Sequence, residues 1–175
     1  MSTVPTLWCT GLPSSGKAEL GQALVELFAQ RGQQAALIHT ATMDNSTQSA
    51  AQGQTIDPAE MLDVLQAATH NAEGRIAVVV AESPLTAQRM HARSQTKRFI
   101  EIHVSTPKAH CIDRDTTDRW KKALTGELRG FTGVDRPYES PTTPEITVNF
   151  SSMSLTEAIS HCAHALQGMA VLVAP

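Results

Sequence analysis

A chain of 175 residues, 41% hydrophobic and 18% charged, is long enough to bury one core and short for two. Its formal net charge of -3 argues against a general nucleic-acid binder, which would be basic. It shows no apolar run long enough to span a membrane, no basic region followed by an apolar stretch at the N-terminus, and three cysteines at unrelated spacings rather than a disulfide framework, so a cytoplasmic protein without a membrane or nucleic-acid partner is expected.

Thr6 to Thr10 reads as a short buried strand, and Lys17 to Arg31 as an amphipathic helix with Leu20, Ala23, Leu24, Leu27 and Phe28 on one face. Between them, Gly11-Leu-Pro13-Ser14-Ser15-Gly16-Lys17 fits the pattern G-x-x-x-x-G-K. A tight turn from strand to helix aims backbone N–H groups and the positive helix end at one spot, which suits a phosphate chain. The lysine reaches the outer phosphates as a point charge. The motif calls next for Ser or Thr, whose hydroxyl holds Mg²⁺; here the residue is Ala18.

Gly32 stops the first helix, and Ala35 to Thr40 reads as the second strand. Ala41 to Thr55 is polar and aperiodic, a long loop. Asp57-Pro58-Ala59-Glu60 reads as a helix start with Asp57 as N-cap, followed by a buried face of Met61, Leu62, Leu65 and Ala68. Arg75 to Ala81 is a continuous apolar strand of the kind buried on both faces of a parallel sheet. Ser83-Pro84 turns into a helix carrying Arg89, His91 and Arg93, Phe99 to Val104 is the next strand, and Thr106-Pro107 opens a helix running towards Arg114. From about 115 to 143, charges, Gly and Pro are dense and no apolar period persists, which reads as a short helix and a lid loop rather than core. Ile146 to Phe150 is the last strand, and Ser154 to Met169 the closing helix, with Leu155, Ala158, Ile159 and Cys162 inward. His161, Cys162 and His164 have metal-like spacing but spread around that helix, so no metal site is expected there.

Strands alternating with helices imply an α/β fold: a three-layer arrangement with a parallel five-stranded sheet, helices on both faces and a lid, in one domain over 1–175. The ligand site then lies off the carboxyl ends of the strands, where the phosphate loop, His39-Thr40, Glu82-Ser83 and the lid gather.

The later stretch narrows the reading. Phe99-Ile-Glu-Ile-His-Val, Arg114-Asp115, Lys122-Ala123, Gly126-Glu127, Phe131-Thr-Gly-Val-Asp135, Pro137-Tyr-Glu-Ser-Pro141 and Pro144-Glu-Ile together resemble adenylylsulfate kinase. The resemblance implies a P-loop kinase that moves the γ-phosphoryl of ATP, with Mg²⁺, onto the 3′-hydroxyl of adenylyl sulfate. It implies that Gly11, Pro13, Ser14, Ser15, Gly16, Lys17 and Ala18 cradle the phosphates. Lys17 would act on the β- and γ-phosphates, with Arg114 near the donor adenine. It further implies an acceptor site of Ser83, Arg89, Lys122, Phe131, Thr132 and Gly133, with Phe131 stacked on adenine and Arg89 facing the phosphosulfate. A homodimer is compatible with the family.

The departures are specific. Where the family carries D-G-D after the second strand, this chain has His39-Thr40-Ala41. The family's acceptor-gripping F-S-x-x-D-R-x-x-N-I-R-R has no counterpart between Gly53 and Asp63, Thr86 and Gln88 replace an Arg and an Asp, and Ser14 stands where Gly is usual. Loss of a positioned base costs about 10² to 10⁴ in rate, and Ala18 counts against Mg²⁺ binding. His39, Asp44 and Glu82 are the nearest groups that could compensate. The expectation is therefore an adenylylsulfate kinase-like phosphotransferase of weak or altered activity. The alternative is a degenerate regulatory protein that binds adenine nucleotides.

Overall fold

The computed structural model describes residues 4–39 and 58–173. In chain order the elements are β1 (Thr6–Gly11), α1 (Lys17–Gln30), β2 (Ala35–His39), α2 (Pro58–Ala72), β3 (Ile76–Val80) and α3 (Thr86–Gln95). They continue with β4 (Phe99–Val104), α4 (Lys108–Asp113), α5 (Arg119–Leu124), β5 (Ile146–Val148) and α6 (Leu155–Gly168). The five strands form one parallel sheet in the order β2-β3-β1-β4-β5. Every residue of β1, β3 and β4 is buried, the signature of central strands covered on both faces.

Strand alternation sorts the core into two layers. Leu7, Cys9, Val78, Val80, Ile100 and Ile102 face Leu20, Leu24 and Phe28 of α1 and Ala158, Cys162 and Leu166 of α6. Trp8, Ala77, Val79 and Phe99 face the other way, against Val64 and Ala67 of α2 and Ala92 of α3. Asparagine and serine close two of the helical ends: Asn71 ties α2 to Thr6 and Pro5, and Ser154 caps α6 reciprocally with Glu157.

Two helix faces differ from their sequence expectation. On α2 the buried positions are Glu60, Asp63, Val64 and Ala67, whereas Met61, Leu62 and Leu65 are 50–65% exposed. The reason is the floor beneath the helix: Trp8 and Ile38 fill the space, so the layer takes Val64 and Ala67 and turns the long side chains outward. Hydrophobicity alone chose the wrong phase. On α6, Leu166 is buried while Leu155 is exposed in the first turn. The expected N-cap Asp57 and the loop before it lie outside the described residues.

The stretch from 115 to 143 is also not a bare lid loop. Trp120, Ala123 and Phe131 join Cys111 in a third buried cluster, flanked by Leu12, Ile112, Leu128 and Val134. Trp120 and Phe131 meet edge to face, with centroids 4.9 Å apart. Asp135 fixes this turn by accepting the backbone N–H groups of Gly130 (2.7 Å) and Phe131 (2.6 Å), the first of which holds its carboxyl below the usual range. No period of 2 or 3.6 links these aromatics, so a pattern-based reading misses the cluster.

Candidate active site

The phosphate loop follows β1 and feeds α1. Gly16 sits at φ 102°, and a Cβ there would lie 2.5 Å from the Phe150 ring, so both conformation and contact demand glycine. Ser14, at φ 60°, adopts the left-handed region without being glycine, a strain of about 1 kcal/mol stored in the loop. Thr106 ties the loop to the sheet: its hydroxyl donates to the Ser15 carbonyl (2.8 Å) and accepts the Phe150 N–H (3.2 Å). Lys17 is 8% exposed, and its Nζ donates to the Gly11 (2.9 Å) and Leu12 (2.6 Å) carbonyls. Burial lowers its pKa to about 8, with the charge of Glu82 pulling it back up.

The Ser15 hydroxyl is wholly buried and, among the described residues, has no hydrogen-bond partner. A lone buried hydroxyl costs about 1–3 kcal/mol, and an anion seated in the loop would relieve it. The loop therefore fits a phosphate. It does not fit a directly held Mg²⁺. Ala18 is exposed and offers no ligand, and Glu19 is bonded to Arg114. Among the described residues no group of three His, Cys, Asp or Glu could hold a metal ion. His161 and His164 are exposed while Cys162 points into the core, its thiol pushed by burial to about 12.

Of the remaining expected site residues, Arg114 and the Phe131–Gly133 turn lie against the loop and the helix it opens. Arg114 lies over the Phe150 ring that supports Gly16 and donates to Glu19 at 2.6 Å. From the lid segment, Trp120 Nε1 donates to the Pro13 carbonyl (3.2 Å), and a Cβ on Gly133 (φ 92°) would meet Leu12 at 2.9 Å. Thr132 Oγ1 donates to Glu82 Oε2 at 2.7 Å. The Phe131-Thr132-Gly133 turn thus rests directly on the phosphate loop. Phe131 itself is 3% exposed, with Trp120 at its edge. Lys122 is exposed on α5.

Arg89 links α3, β4 and the Tyr138–Glu139 segment. It is 4% exposed and all its guanidinium nitrogens are engaged within the protein. Nη1 donates to the Ser83 carbonyl (2.8 Å), Nη2 to the Glu139 carbonyl (2.6 Å), and Nε pairs with Glu101 at 2.8 Å. Arg93 links Glu101 (3.6 Å) to Glu145 (2.7 Å), extending the network. Ser83 also accepts from Trp8 Nε1 (3.0 Å).

Residues not singled out as site candidates in the sequence adjoin Glu82 and Arg89. Thr10 donates to the Glu82 carbonyl (2.6 Å), which leaves the Tyr138 hydroxyl, 3.1 Å away, to donate to Thr10. Tyr138 stacks on His103 of β4, with centroids 6.0 Å apart. Glu101 and His103 carry a legible signal: a charged and a titratable residue two apart in a wholly buried strand share one face and need partners there. Burial, aided by the charge of Arg89, lowers His103 to about 4. Because its folded pKa lies below the unfolded value near 6.5, the unfolded chain binds the extra proton first. Stability is then full above about pH 6.5 and lost progressively down to about pH 4, by up to roughly 3 kcal/mol. Urea melts across that window will show a flatter pH dependence for His103→Phe than for the wild type.

A strand, a glycine-bounded loop with a buried lysine, and a helix, set at the carboxyl end of a parallel sheet with this strand order, define a P-loop kinase. The model of the adenylylsulphate kinase family matches residues 3–149, and the chain belongs to that family. A probable adenylyl-sulfate kinase of Pseudomonas aeruginosa is 33% identical over 160 residues, covering 87% of this chain and 72% of that protein. The fold is that of the APS kinase of Mycobacterium tuberculosis, solved in complex with AMPPNP and APS: TM-score 0.80, 24% identity, 95% of this chain and 99% of that one. A hexameric APS kinase from Thiobacillus denitrificans shares it at TM-score 0.68 and 20% identity, over 98% of this chain and 30% of that one.

Proposed function

We propose that the chain is an ATP-dependent phosphotransferase of low activity, acting on adenylyl sulfate or a related nucleotide acceptor. The observation that carries the reading is the pairing of an orphaned, wholly buried Ser15 hydroxyl with Lys17 in a glycine-bounded loop. A phosphate seated in the loop would give the Ser15 hydroxyl the partner it lacks, with the Lys17 ammonium at hand to pair with it. Arg114 on the Phe150 side would border the donor base, and the Phe131–Gly133 turn on the Leu12–Pro13 side would border the acceptor. ATP is the expected donor, as in the family. Low activity follows from Ala18, which removes a hydroxyl at the phosphate end of α1, and from His39-Thr40-Ala41, which supplies no carboxylate.

A second reading, nucleotide binding without transfer, draws on Phe131. Its ring is 3% exposed and occupied by Trp120, so an acceptor base must displace packed side chains to stack there.

The test is conversion of adenylyl sulfate by the purified chain with ATP and Mg²⁺, beside calorimetric titration of ADP. We expect measurable turnover far below the usual kinase range of about 1–100 s⁻¹, and a rise on Ala18→Ser. ADP binding without any turnover would favour the second reading. Turnover in the ordinary range would refute the low-activity assignment.

A further inference from the structure

We propose that Glu82 is the carboxylate that accepts the acceptor's proton in this chain. The proposal rests on the phosphotransferase reading above and goes beyond it by assigning the base.

Position is the first ground. Glu82 follows β3, and in the order β2-β3-β1 that strand lies directly beside the one that launches the phosphate loop. Its backbone carbonyl is fastened by Thr10, the last residue before Gly11, at 2.6 Å. Its side chain reaches the opposite wall, where Oε2 accepts the Thr132 hydroxyl at 2.7 Å. A carboxylate fastened to the strand that launches the phosphate loop and bonded to the Phe131–Gly133 turn is placed to meet an acceptor hydroxyl there.

Comparison with the alternatives is the second ground. His39 ends β2, the edge strand, one strand further from the loop, and its side chain is exposed. Glu101 and Glu139 are committed to Arg89, Arg93 and Thr86. Glu19 is bonded to Arg114 on the outer side of α1. Among the described carboxylates with named partners, Glu82 is tied to both walls of the site.

The step balances without a further reactant. The acceptor oxygen attacks the γ-phosphorus, forming the new O–P bond. The bond from that phosphorus to the β,γ-bridging oxygen breaks, and its electron pair leaves on ADP. The hydroxyl proton passes to the Glu82 carboxylate and then to solvent. Lys17 neutralises charge on the phosphate oxygens, and the Thr132 hydroxyl orients the carboxylate.

The alternative to exclude is that Glu82 merely latches the Thr132 turn. Glu82→Gln separates the two roles, because the amide oxygen still accepts the Thr132 hydroxyl but cannot take a proton. We expect kcat to fall about 10²-fold or more. The wild-type kcat–pH profile will decline towards low pH as the carboxylate protonates, and Glu82→Gln will lack that decline. Glu82→Asp, which keeps the carboxylate at shorter reach, will retain the decline with an intermediate rate. A wild-type enzyme without the acid limb, or a Glu82→Gln variant of undiminished kcat, overturns the assignment of Glu82 alone. The wild-type profile serves this purpose even where Glu82→Gln does not fold. A wild type that binds ADP but transfers phosphoryl neither to adenylyl sulfate nor to a related nucleotide acceptor overturns the phosphotransferase reading, and the role of Glu82 with it.

Discussion

Arg89→Met will lower the unfolding free energy by about 3–5 kcal/mol, the scale for stripping one partner from a buried ion pair. For a chain of this size that is a fall in Tm of roughly 6–20 °C. The magnitude follows from what the substitution leaves behind. Glu101 is 8% exposed in the middle of β4, and without Arg89 its nearest cation is Arg93 at 3.6 Å. The carbonyls of Ser83 and Glu139 lose their donor at the same time. A double variant, Arg89→Met with Glu101→Leu, will recover part of the loss by removing the stranded charge, although the two carbonyls stay unpaired. Thermal melts of the three variants check this. A single variant within about 1 kcal/mol of wild type would show that the guanidinium is not a strut between α3, β4 and the Tyr138–Glu139 segment.

The fold was legible because its strongest signals are local. The continuous apolar run at 76–80 marks a central parallel strand, and the G-x-x-x-x-G-K loop fixes the junction of β1 and α1 within a residue. What failed was phase and long-range partnership. Met61, Leu62 and Leu65 look like a buried stripe until Trp8 and Ile38 are seen to leave room only for Val64 and Ala67. Nothing local distinguishes these choices, since both put apolar residues three and four apart.

The candidate site divides in the same way. Lys17, Ser15 and Gly16 were readable because a phosphate loop is contiguous, and its geometry follows from its own glycines. Phe131, Thr132 and Gly133 were singled out by resemblance, but the seating of Gly133 on Leu12 and of Thr132 on Glu82 involves partners about 50 to 120 positions away, which no periodicity encodes. Arg89 was singled out by resemblance, but its ion pair with Glu101 of a wholly buried strand joins residues of different elements, which no local pattern encodes.

Lys17→Met will weaken ATP and ADP binding by about 10- to 150-fold, the equivalent of losing a charged hydrogen bond worth about 1.5–3 kcal/mol. In the structure Nζ is held by the Gly11 and Leu12 carbonyls, so a nucleotide must draw it out of the loop as well as pair with it. Burial leaves the free ammonium with a pKa of about 8, and phosphate oxygens beside it will raise that value. The sign of the linkage follows: above about pH 8 the free protein has lost a proton that the complex retains. Binding will therefore take up a proton there, and affinity will fall as pH rises, by at most tenfold per unit. Titrations of ADP near pH 9 in two buffers of different ionisation enthalpy will report that uptake for the wild type, and Lys17→Met will show none. Equal affinity for the two proteins would mean that Gly11–Lys17 is a structural turn, whereas a large loss without proton uptake would mean that the ammonium stays charged in the free site.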